Sequence, residues 1–187
     1  SAVFIGMGSS TISAKETGKI LVVYYSKTGF TKQMAQAVTE GAKKVPGVQV
    51  RLLTVKEAKT VDVLWADGII VGSPVYNANV AIPVQRFINS WPFKNAPLKN
   101  KIGAAFVTGG GISAGEEFVQ LNILRSMLIY GMIVVGGDDW QSAFGASAVT
   151  EEPPFDRYHK TKKVAPQFLK KARALGRRVA TIVIKLK

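Results

Sequence analysis

Residues 20–31 read ILVVYYSKTGFT, an apolar and aromatic run that ends in hydroxyl side chains, a lysine and a glycine. A run of this length, rich in β-branched and aromatic residues, predicts a strand that is buried on both faces, as in a parallel sheet. Apolar residues then recur at helical spacing, at Phe30, Met34, Val38 and Ala42. A strand that passes through one short polar loop into a helix is typical of α/β proteins.

The same alternation of strand and helix patterns continues along the chain. Strands are predicted at Ile20–Tyr25, Val48–Thr54, Gly68–Val71, Ile102–Val107 and Met132–Val135. Helix faces are predicted at Val84, Phe87, Ile88 and Trp91, at Leu121, Leu124 and Leu128, and at Phe168, Ala172, Leu175, Val179 and Ile182. The sequence therefore predicts a parallel sheet with helices on both faces, whose ligand sites lie in the loops after the strands.

The composition limits the chemistry that is available. The chain has 187 residues, enough for one domain with a hydrophobic core, and 47% of them are hydrophobic. It has no cysteine and one histidine, His159, which excludes disulfides, thiol nucleophiles and metal sites built from cysteines or several histidines. We therefore predict no metal site, and any redox chemistry requires an organic cofactor.

Basic residues outnumber acidic ones. Lys and Arg total 25 against 12 Asp and Glu, a formal net charge of +13, and 11 of the basic residues lie between Arg157 and Lys187. This charge favours an anionic partner or an anionic membrane surface. We expect no specific nucleic-acid partner, because the sequence has no recognition-helix motif and no interleaving of aromatic and basic residues.

The first residues differ in character from the rest of the chain. They are small and apolar at first, then rich in Ser, Thr and Ala, with no regular period. We predict an N-terminal extension over residues 1–18 and a single domain over residues 19–187. A cytoplasmic protein is expected; export to the periplasm is the alternative if Ser1–Thr17 are the remnant of a signal peptide.

The first candidate loop directly precedes a predicted helix and is named the hydroxyl loop. It comprises Ser26, Lys27, Thr28, Gly29, Phe30 and Thr31. The opening amides of a helix lack partners and its dipole favours an anion, so a phosphate suits this loop, with hydroxyl groups as further donors. The alternative is ordinary helix capping by the hydroxyls. No Walker pattern is present, so nucleotide hydrolysis is not supported.

The second candidate loop, named the tyrosine loop, follows the third predicted strand. It comprises Gly72, Ser73, Pro74, Val75, Tyr76, Asn77, Ala78 and Asn79. An exposed Tyr76 could stack on a flat ring. The alternative is a turn whose tyrosine covers the core. The two asparagines are equally compatible with such a turn.

The third candidate loop, named the glycine loop, follows the fourth predicted strand. It comprises Thr108, Gly109, Gly110, Gly111, Ile112, Ser113, Ala114, Gly115, Glu116 and Glu117. One interpretation is a dinucleotide fingerprint, which we discount because that motif belongs to the first βα turn of its unit. Another is a glycine-rich wall whose backbone amides face a ligand.

A third interpretation of the glycine loop is a serine hydrolase. Ser113 would be the nucleophile in a Gly-x-Ser-x-Gly turn, with Asp138 or Asp139 and His159 completing the chain order of a triad. Against it, Ser113 and Glu116 have the spacing of a capping box, which explains both residues structurally. The hydrolase is therefore the less favoured interpretation.

Together the three loops resemble those of the flavodoxin-like family, and most closely the NAD(P)H:quinone oxidoreductases of the tryptophan-repressor-binding-protein type. The resemblance runs from about Lys19 to the end of the chain. It implies a doubly wound, five-stranded parallel sheet in the order 2-1-3-4-5. It also implies that FMN binds with its phosphate at residues 26–31 and its ring between residues 74–79 of the tyrosine loop and residues 108–113 of the glycine loop.

The sequence departs from the family pattern at several of these positions. Asn77-Ala78-Asn79-Val80 stands where family members usually carry Phe-Gly-Asn-Met. Tyr130 aligns with a family histidine next to the flavin, which implies a catalytic role, with capping or packing as the alternative. Phe93 aligns with a family tryptophan near the quinone and nicotinamide site, which implies a contact with substrate.

The resemblance implies an FMN-dependent oxidoreductase that transfers electrons from NAD(P)H to a quinone-like acceptor. The alternative is an electron carrier of the flavodoxin type, without a substrate of its own. Such carriers are usually strongly acidic, so the positive charge of this chain favours the reductase. The resemblance also implies a homo-oligomer, a dimer or a tetramer, with sites shared between subunits.

Overall fold

The structure is a computed structural model that describes residues 17–187. In this range the strands are β1 Gly18–Tyr24, β2 Val48–Thr54, β3 Gly68–Tyr76, β4 Asn79–Val80, β5 Ile102–Gly109, β6 Ile133–Val134 and β7 Ala146–Val149. The α-helices are α1 Phe30–Lys43, α2 Thr60–Trp65, α3 Ile82–Asn89, α4 Glu116–Ile129, α5 Asp156–Lys160 and α6 Pro166–Lys185. A single 3-10 turn spans Trp140–Ser142.

The strands form one sheet. β2, β1, β3, β5 and β6 lie side by side in that order, and all of their pairings are parallel. β7 also pairs with β5 in parallel, and β4 pairs with the end of β3 in the antiparallel direction. The predicted fold class is confirmed, because the five main positions of the parallel sheet follow the order 2-1-3-4-5.

Helices cover both faces of the sheet. α1 and α6 pack on one face, where Met34 and Leu175 are fully buried. The residues of α2, α3 and α4 that face the sheet belong to the core on the other face. α1 and α6 approach closely because both have a glycine at their contact: a Cβ at Gly41 would lie 1.9 Å from the Arg173 carbonyl oxygen, and one at Gly176 would lie 1.9 Å from that of Val38.

The fifth position of the sheet differs from the prediction. Instead of one strand at Met132–Val135, two short strands share the position: β6 pairs with the beginning of β5, and β7 pairs with its end. The residues after β6 read GGDD (136–139), which favour turns and end the strand. β7 was missed because its sequence, Ala-Ser-Ala-Val, has a single β-branched residue.

The boundaries of the predicted loops also shift. β3 continues to Tyr76 and β5 to Gly109, so Pro74, Val75 and Thr108 belong to strands rather than to loops. β1 begins at Gly18, two residues earlier than predicted, and Tyr25 lies beyond its end. The extra pairing of β3 with β4 accounts for the long third strand.

The face that α4 turns to the core was predicted only in part, because Leu124 is buried as predicted and the remaining core residues lie elsewhere on the helix. Val119, Ile123 and Met127 are fully buried, whereas the predicted core residue Leu128 is 54% exposed. α4 is apolar on both sides, and periodicity alone cannot select the buried face of such a helix. The predicted face of α6 is confirmed, with four of its five residues buried and Ile182 partly buried.

The predicted extension lies mostly outside the described residues. Of residues 1–18, the structure describes only Thr17 and Gly18. Over the described part of the chain, none of the helices combines the length and the apolar character needed to cross a bilayer.

Candidate functional site

The three candidate loops meet at the carboxyl edge of the sheet. β1, β3 and β5 are neighbours in the sheet and run in the same direction, so the loops that follow them leave from one edge. The register pairs Pro74 with Thr108, which places the tyrosine loop beside the glycine loop. This is the edge at which ligands bind in doubly wound folds.

The hydroxyl loop turns tightly into α1. The Ser26 hydroxyl accepts a hydrogen bond from the Gly29 amide, with 3.1 Å between Oγ and N. Gly29 has φ of 98°, precedes the first helical residue, and accepts the Gln33 amide as the first bond of the helix. No side chain caps α1, so the predicted alternative of capping by hydroxyls is wrong. The opening amides of α1 are therefore free to bind an anion.

The hydroxyl loop is joined to the end of β5. Thr31 and Thr108 are both buried, and their hydroxyl oxygens lie 2.8 Å apart; either can donate. The Thr31 hydroxyl is therefore hydrogen-bonded within the protein, whereas the side chains of Thr28 and Lys27 are exposed. Of the predicted phosphate-binding hydroxyls, Ser26 and Thr28 remain near the surface.

The tyrosine loop is a two-residue hairpin between β3 and β4. Asn77 and Ala78 have φ of 51° and 58°, and the Asn79 side-chain amide donates to the Asn77 carbonyl oxygen at 2.7 Å. Positive φ at both central residues is typical of the tight turn that suits a hairpin. Tyr76, just before the turn, is 42% exposed. Burial, and secondarily the nearby Tyr25, raises the pKa of the Tyr76 phenol above its ordinary value of 10.0.

The glycine loop touches the tyrosine loop. Gly115 has φ of 104°, and a Cβ built on it would lie 2.6 Å from both Cα and Cβ of Ala78. α4 begins at Glu116 with Gly115 as its cap, and no side chain caps the helix. The predicted capping box of Ser113 and Glu116 is therefore wrong. Ser113 itself has φ of 61° and is exposed.

Residues after β7 support the glycine loop and were missed by the sequence analysis. The amides of Glu151 and Glu152 donate to the Gly110 carbonyl oxygen at 2.8 and 3.0 Å. The Glu152 carboxylate in turn accepts the Ile112 amide at 2.5 Å. A pair of acids followed by two prolines, at the end of an unrecognised strand, was the only local signal.

Tyr130 and Phe93 do not reach these loops within one chain. Tyr130 follows α4, and Ile133 shortly after it pairs with Ile102, the first residue of β5, so both lie at the amino end of the strands. The Tyr130 hydroxyl donates to the Ile88 carbonyl oxygen at 3.0 Å, and burial raises its pKa. The Phe93 and Tyr130 rings pack with centroids 5.6 Å apart.

Known proteins resemble this chain in sequence and in fold. The family model of NADPH-dependent FMN reductases matches residues 60–147. A flavodoxin of Aquifex aeolicus is 40% identical over 128 residues, which cover 66% of this chain and 67% of the relative. An NAD(P)H dehydrogenase (quinone) of Geotalea daltonii is 31% identical over 144 residues, which cover 63% of this chain and 70% of the relative.

Among solved structures, the flavodoxin, WrbA-like protein from Agrobacterium tumefaciens superimposes with a TM-score of 0.74 at 22% identity, over 91% of this chain and 100% of that one. This likeness supports the fold, and the sequence relatives establish the family. The chain belongs to the flavodoxin-like family of FMN-binding oxidoreductases.

The residues of this flavodoxin-like protein fit an FMN phosphate and ring. Open space lies beside Gly29, where an added Cβ would meet no atom within 4 Å, and Gly29 directly precedes the first amides of α1. A phosphate suits such a place because the amides point outward and the helix dipole favours an anion. The half-exposed Tyr76 presents an aromatic surface at the same edge.

The structure does not support the interpretation of this flavodoxin-like protein as a serine hydrolase. Asp138 pairs with Arg177 at 3.3 Å, and Asp139 accepts a hydrogen bond from the Ser142 hydroxyl at 2.8 Å. His159 packs on Phe30, with 5.2 Å between ring centroids. Across residues 17–187, neither aspartate nor His159 hydrogen-bonds to Ser113, so the predicted triad is wrong.

Proposed function

We propose that this protein is an FMN-dependent oxidoreductase that passes electrons from NAD(P)H to a quinone-like acceptor. The observation that carries the proposal is the convergence of the three loops, which are joined by the bond between Thr31 and Thr108 and by the contact of Gly115 with Ala78. The name of the family model supports an NADPH donor, and the name of the Geotalea relative supports a quinone acceptor.

Each loop has a separate task in this proposal. The opening amides of α1, with the Ser26 and Thr28 hydroxyls, bind the phosphate. Tyr76 and the backbone around Gly110 border the ring and exclude water from its faces. The Tyr76 phenol, which is protonated at neutral pH like an ordinary tyrosine, can donate a hydrogen bond. Bound FMN supplies the hydride and electron transfer, so the protein needs no nucleophile of its own.

An electron carrier of the flavodoxin type is the second candidate. The Aquifex flavodoxin, at 40% identity, supports it as directly as the Geotalea enzyme supports the reductase. The formal charge of +13 favours the reductase, because a strongly basic surface attracts anionic small molecules such as nicotinamide nucleotides. The two candidates differ in one measurable property, direct reduction by a free nicotinamide nucleotide.

Anaerobic titration tests the proposal. The purified protein is loaded with FMN, freed of unbound flavin, and mixed with NADPH or NADH while the flavin absorbance is followed; a benzoquinone is then added. Rapid bleaching that the benzoquinone reverses is the expected result. Retained flavin that neither nucleotide reduces would favour the carrier, and failure to retain flavin would overturn both candidates.

We also propose that the protein works as a homo-oligomer. The outward face of α4 carries large apolar side chains around one exposed cation, Arg125: Phe118, Leu128 and Ile129 are 72%, 54% and 72% exposed, and Phe93, near the end of this helix, is 64% exposed. A second copy that covers this face would remove these side chains from water. Contact between copies is also how Tyr130 and Phe93 could approach a flavin, since within one chain they lie at the opposite end of the sheet.

A further inference from the structure

A groove of about 470 Å³ lies beside the hydroxyl loop and the tyrosine loop and takes no part in the site described so far. It runs between the segment after β2 and helix α3, and Tyr25 forms part of its wall. Tyr25 immediately precedes the hydroxyl loop, and its amide donates to the carbonyl oxygen of Gly72, the first residue of the tyrosine loop, at 3.2 Å. The groove therefore opens next to both the hydroxyl loop and the tyrosine loop.

Two cations are among the residues that line this groove. Lys56 stands on the wall after β2, and Arg86 stands on α3. Both are exposed, and neither has an ion pair or side-chain hydrogen bond with any residue in the range 17–187. An arginine held on a helix can bind a phosphate with two parallel hydrogen bonds, and a lysine adds a point charge.

The rest of the lining is mostly apolar, with Tyr25 and Ser90 as its other polar residues, and it contains no acid. Val55, Pro83 and Phe87 contribute apolar and aromatic surface. The nearest carboxylate in sequence, Glu57, is engaged elsewhere, because its Oε2 accepts the amide and the hydroxyl of Thr54 at 2.9 and 2.8 Å. Apolar walls with a few convergent polar groups are typical of sites for aromatic ligands.

We propose that this groove binds the adenosine phosphate half of the nicotinamide donor and selects NADPH over NADH, an inference that rests on the proposed reductase function. Sites for NADH typically offer a carboxylate to the 2′-hydroxyl of the ribose, whereas sites for NADPH offer an arginine to the 2′-phosphate. This groove has the arginine and a lysine, and its lining has no acid. Arg86 and Lys56 bind the phosphate, and Val55 and Pro83, which are both partly exposed, offer apolar surface to the adenine.

Calorimetry of the purified full chain without FMN tests the groove directly, with adenosine 2′,5′-bisphosphate as the probe. Arg86→Gln and Lys56→Gln are each expected to weaken binding of this probe about tenfold, as removal of one charge-assisted hydrogen bond does. Arg178→Gln is the matched control, since it removes the same charge from the exposed side of α6. Equal weakening in all three variants would show general charge attraction and would overturn the inference.

Inorganic phosphate and FMN distinguish the other possible sources of a phosphate. If inorganic phosphate binds the wild-type chain as tightly as the bisphosphate does, the groove recognises phosphate alone and the assignment to NADPH is wrong. FMN affinity, measured by quenching of flavin fluorescence, is expected to be the same in Arg86→Gln as in the wild type. A parallel loss of FMN affinity would place Arg86 in the FMN site and overturn the separate groove.

Steady-state kinetics of the FMN-loaded protein separates the groove from the proposed function. The KM for NADPH is expected to rise about tenfold in Arg86→Gln, with kcat and the KM for NADH little changed. If NADPH reduces the flavin and its KM is the same in the variant, the groove inference fails and the reductase stands. If the probe binds at the groove but no nucleotide reduces the flavin, the reductase fails and the groove stands as a nucleotide site.

Discussion

The hydroxyl groups of Thr31 and Thr108 lie 2.8 Å apart, and both side chains are buried. Thr31 stands in the first turn of α1, and Thr108 stands 77 positions later, near the end of β5. Because neither hydroxyl reaches water freely, each depends on the other for a hydrogen-bond partner. This bond fixes the hydroxyl loop relative to the glycine loop before any ligand binds.

Removal of one of these hydroxyls is expected to destabilise the protein. Thr31→Val should lower the free energy of unfolding by about 1 to 2 kcal/mol, because the Thr108 hydroxyl is left buried without a partner. The double variant with Thr108→Val should cost less than the sum of the two single variants, since no orphaned hydroxyl remains. Urea denaturation of the FMN-free protein measures the free energy of unfolding of the two single variants and the double variant. If the loss in the double variant equals the sum of the two single losses, the two hydroxyls are not coupled.

Thr28 provides the test of the phosphate assignment. Thr28→Val should weaken FMN binding about fivefold to tenfold, because one hydrogen bond to the phosphate is lost. Riboflavin, which has no phosphate, should bind the wild type and the variant equally. Thr181→Val, on α6, is the control and should leave both affinities unchanged. If Thr28→Val weakens riboflavin as much as FMN, the hydroxyl loop does not bind the phosphate.

Local patterns predicted the parts of the site that are continuous in sequence. The apolar run before Ser26 and the helical spacing after Phe30 placed a strand, a loop and a helix where the structure has them. Parallel neighbours in the sheet then bring the loops to one edge. These features depend on period and turn chemistry, which a sequence displays directly.

Contacts between distant segments were not predictable in the same way. Glu152 accepts the Ile112 amide across 40 positions, and the partner of Thr31 lies farther still. Neither pairing leaves a periodic pattern, because the first depends on how β5 and β7 end beside one another and the second on where α1 begins beside the end of β5. The prediction of the core face of α4 was right for Leu124 and wrong for Leu128 for another reason: Leu128 and Met127 are both strongly apolar, and only packing decides which is buried.

A comparison of Gly29 with Gly115 separates the effect of backbone strain from the effect of a close contact between two loops. Both have positive φ, 98° and 104°, so alanine at either position should cost about 1 kcal/mol in backbone strain. Only Gly115 is also in close contact, 2.6 Å from its added Cβ to the backbone of Ala78. Gly115→Ala should therefore destabilise the protein more than Gly29→Ala and separate the tyrosine and glycine loops.

Thermal unfolding and FMN affinity of the two glycine variants check this expectation. The melting temperature should fall further for Gly115→Ala. FMN affinity should also fall, because the two loops that border the ring move apart. Equal melting temperatures would show that backbone strain alone accounts for the destabilisation in both variants. The contact of residue 115 with Ala78 would then relax at little energetic cost.

Self-association through α4 is tested with an exposed apolar residue. Ile129→Glu should shift the protein toward the monomer in sedimentation velocity experiments, since it would bury a charge in the proposed contact. Val61→Glu is the control: Val61 is 62% exposed, on α2, outside the proposed contact. If the wild type is itself monomeric at all concentrations, or if both variants dissociate equally, α4 is not the interface.

The contribution of Glu57 to the stability of the protein is expected to depend on pH. Its hydrogen bonds from the Thr54 amide and, secondarily, the Thr54 hydroxyl lower its pKa below the ordinary value of 4.5. A carboxylate with a lowered pKa in the folded state stabilises the protein above its unfolded pKa, and this contribution is lost as the pH falls through the folded pKa. Glu57→Gln should therefore melt below the wild type at neutral pH, and the difference should disappear in acid.

Thr54 supplies the control for the pH experiment. In a Thr54→Val background the hydroxyl donor is gone, so the effect of Glu57→Gln on the melting temperature at neutral pH should become smaller. Melting curves from about pH 7 to about pH 3 cover the window in which the carboxylate is protonated. A difference between wild type and Glu57→Gln that stays constant over this window would mean that the substitution acts through packing or Lys56 rather than through the charge of Glu57.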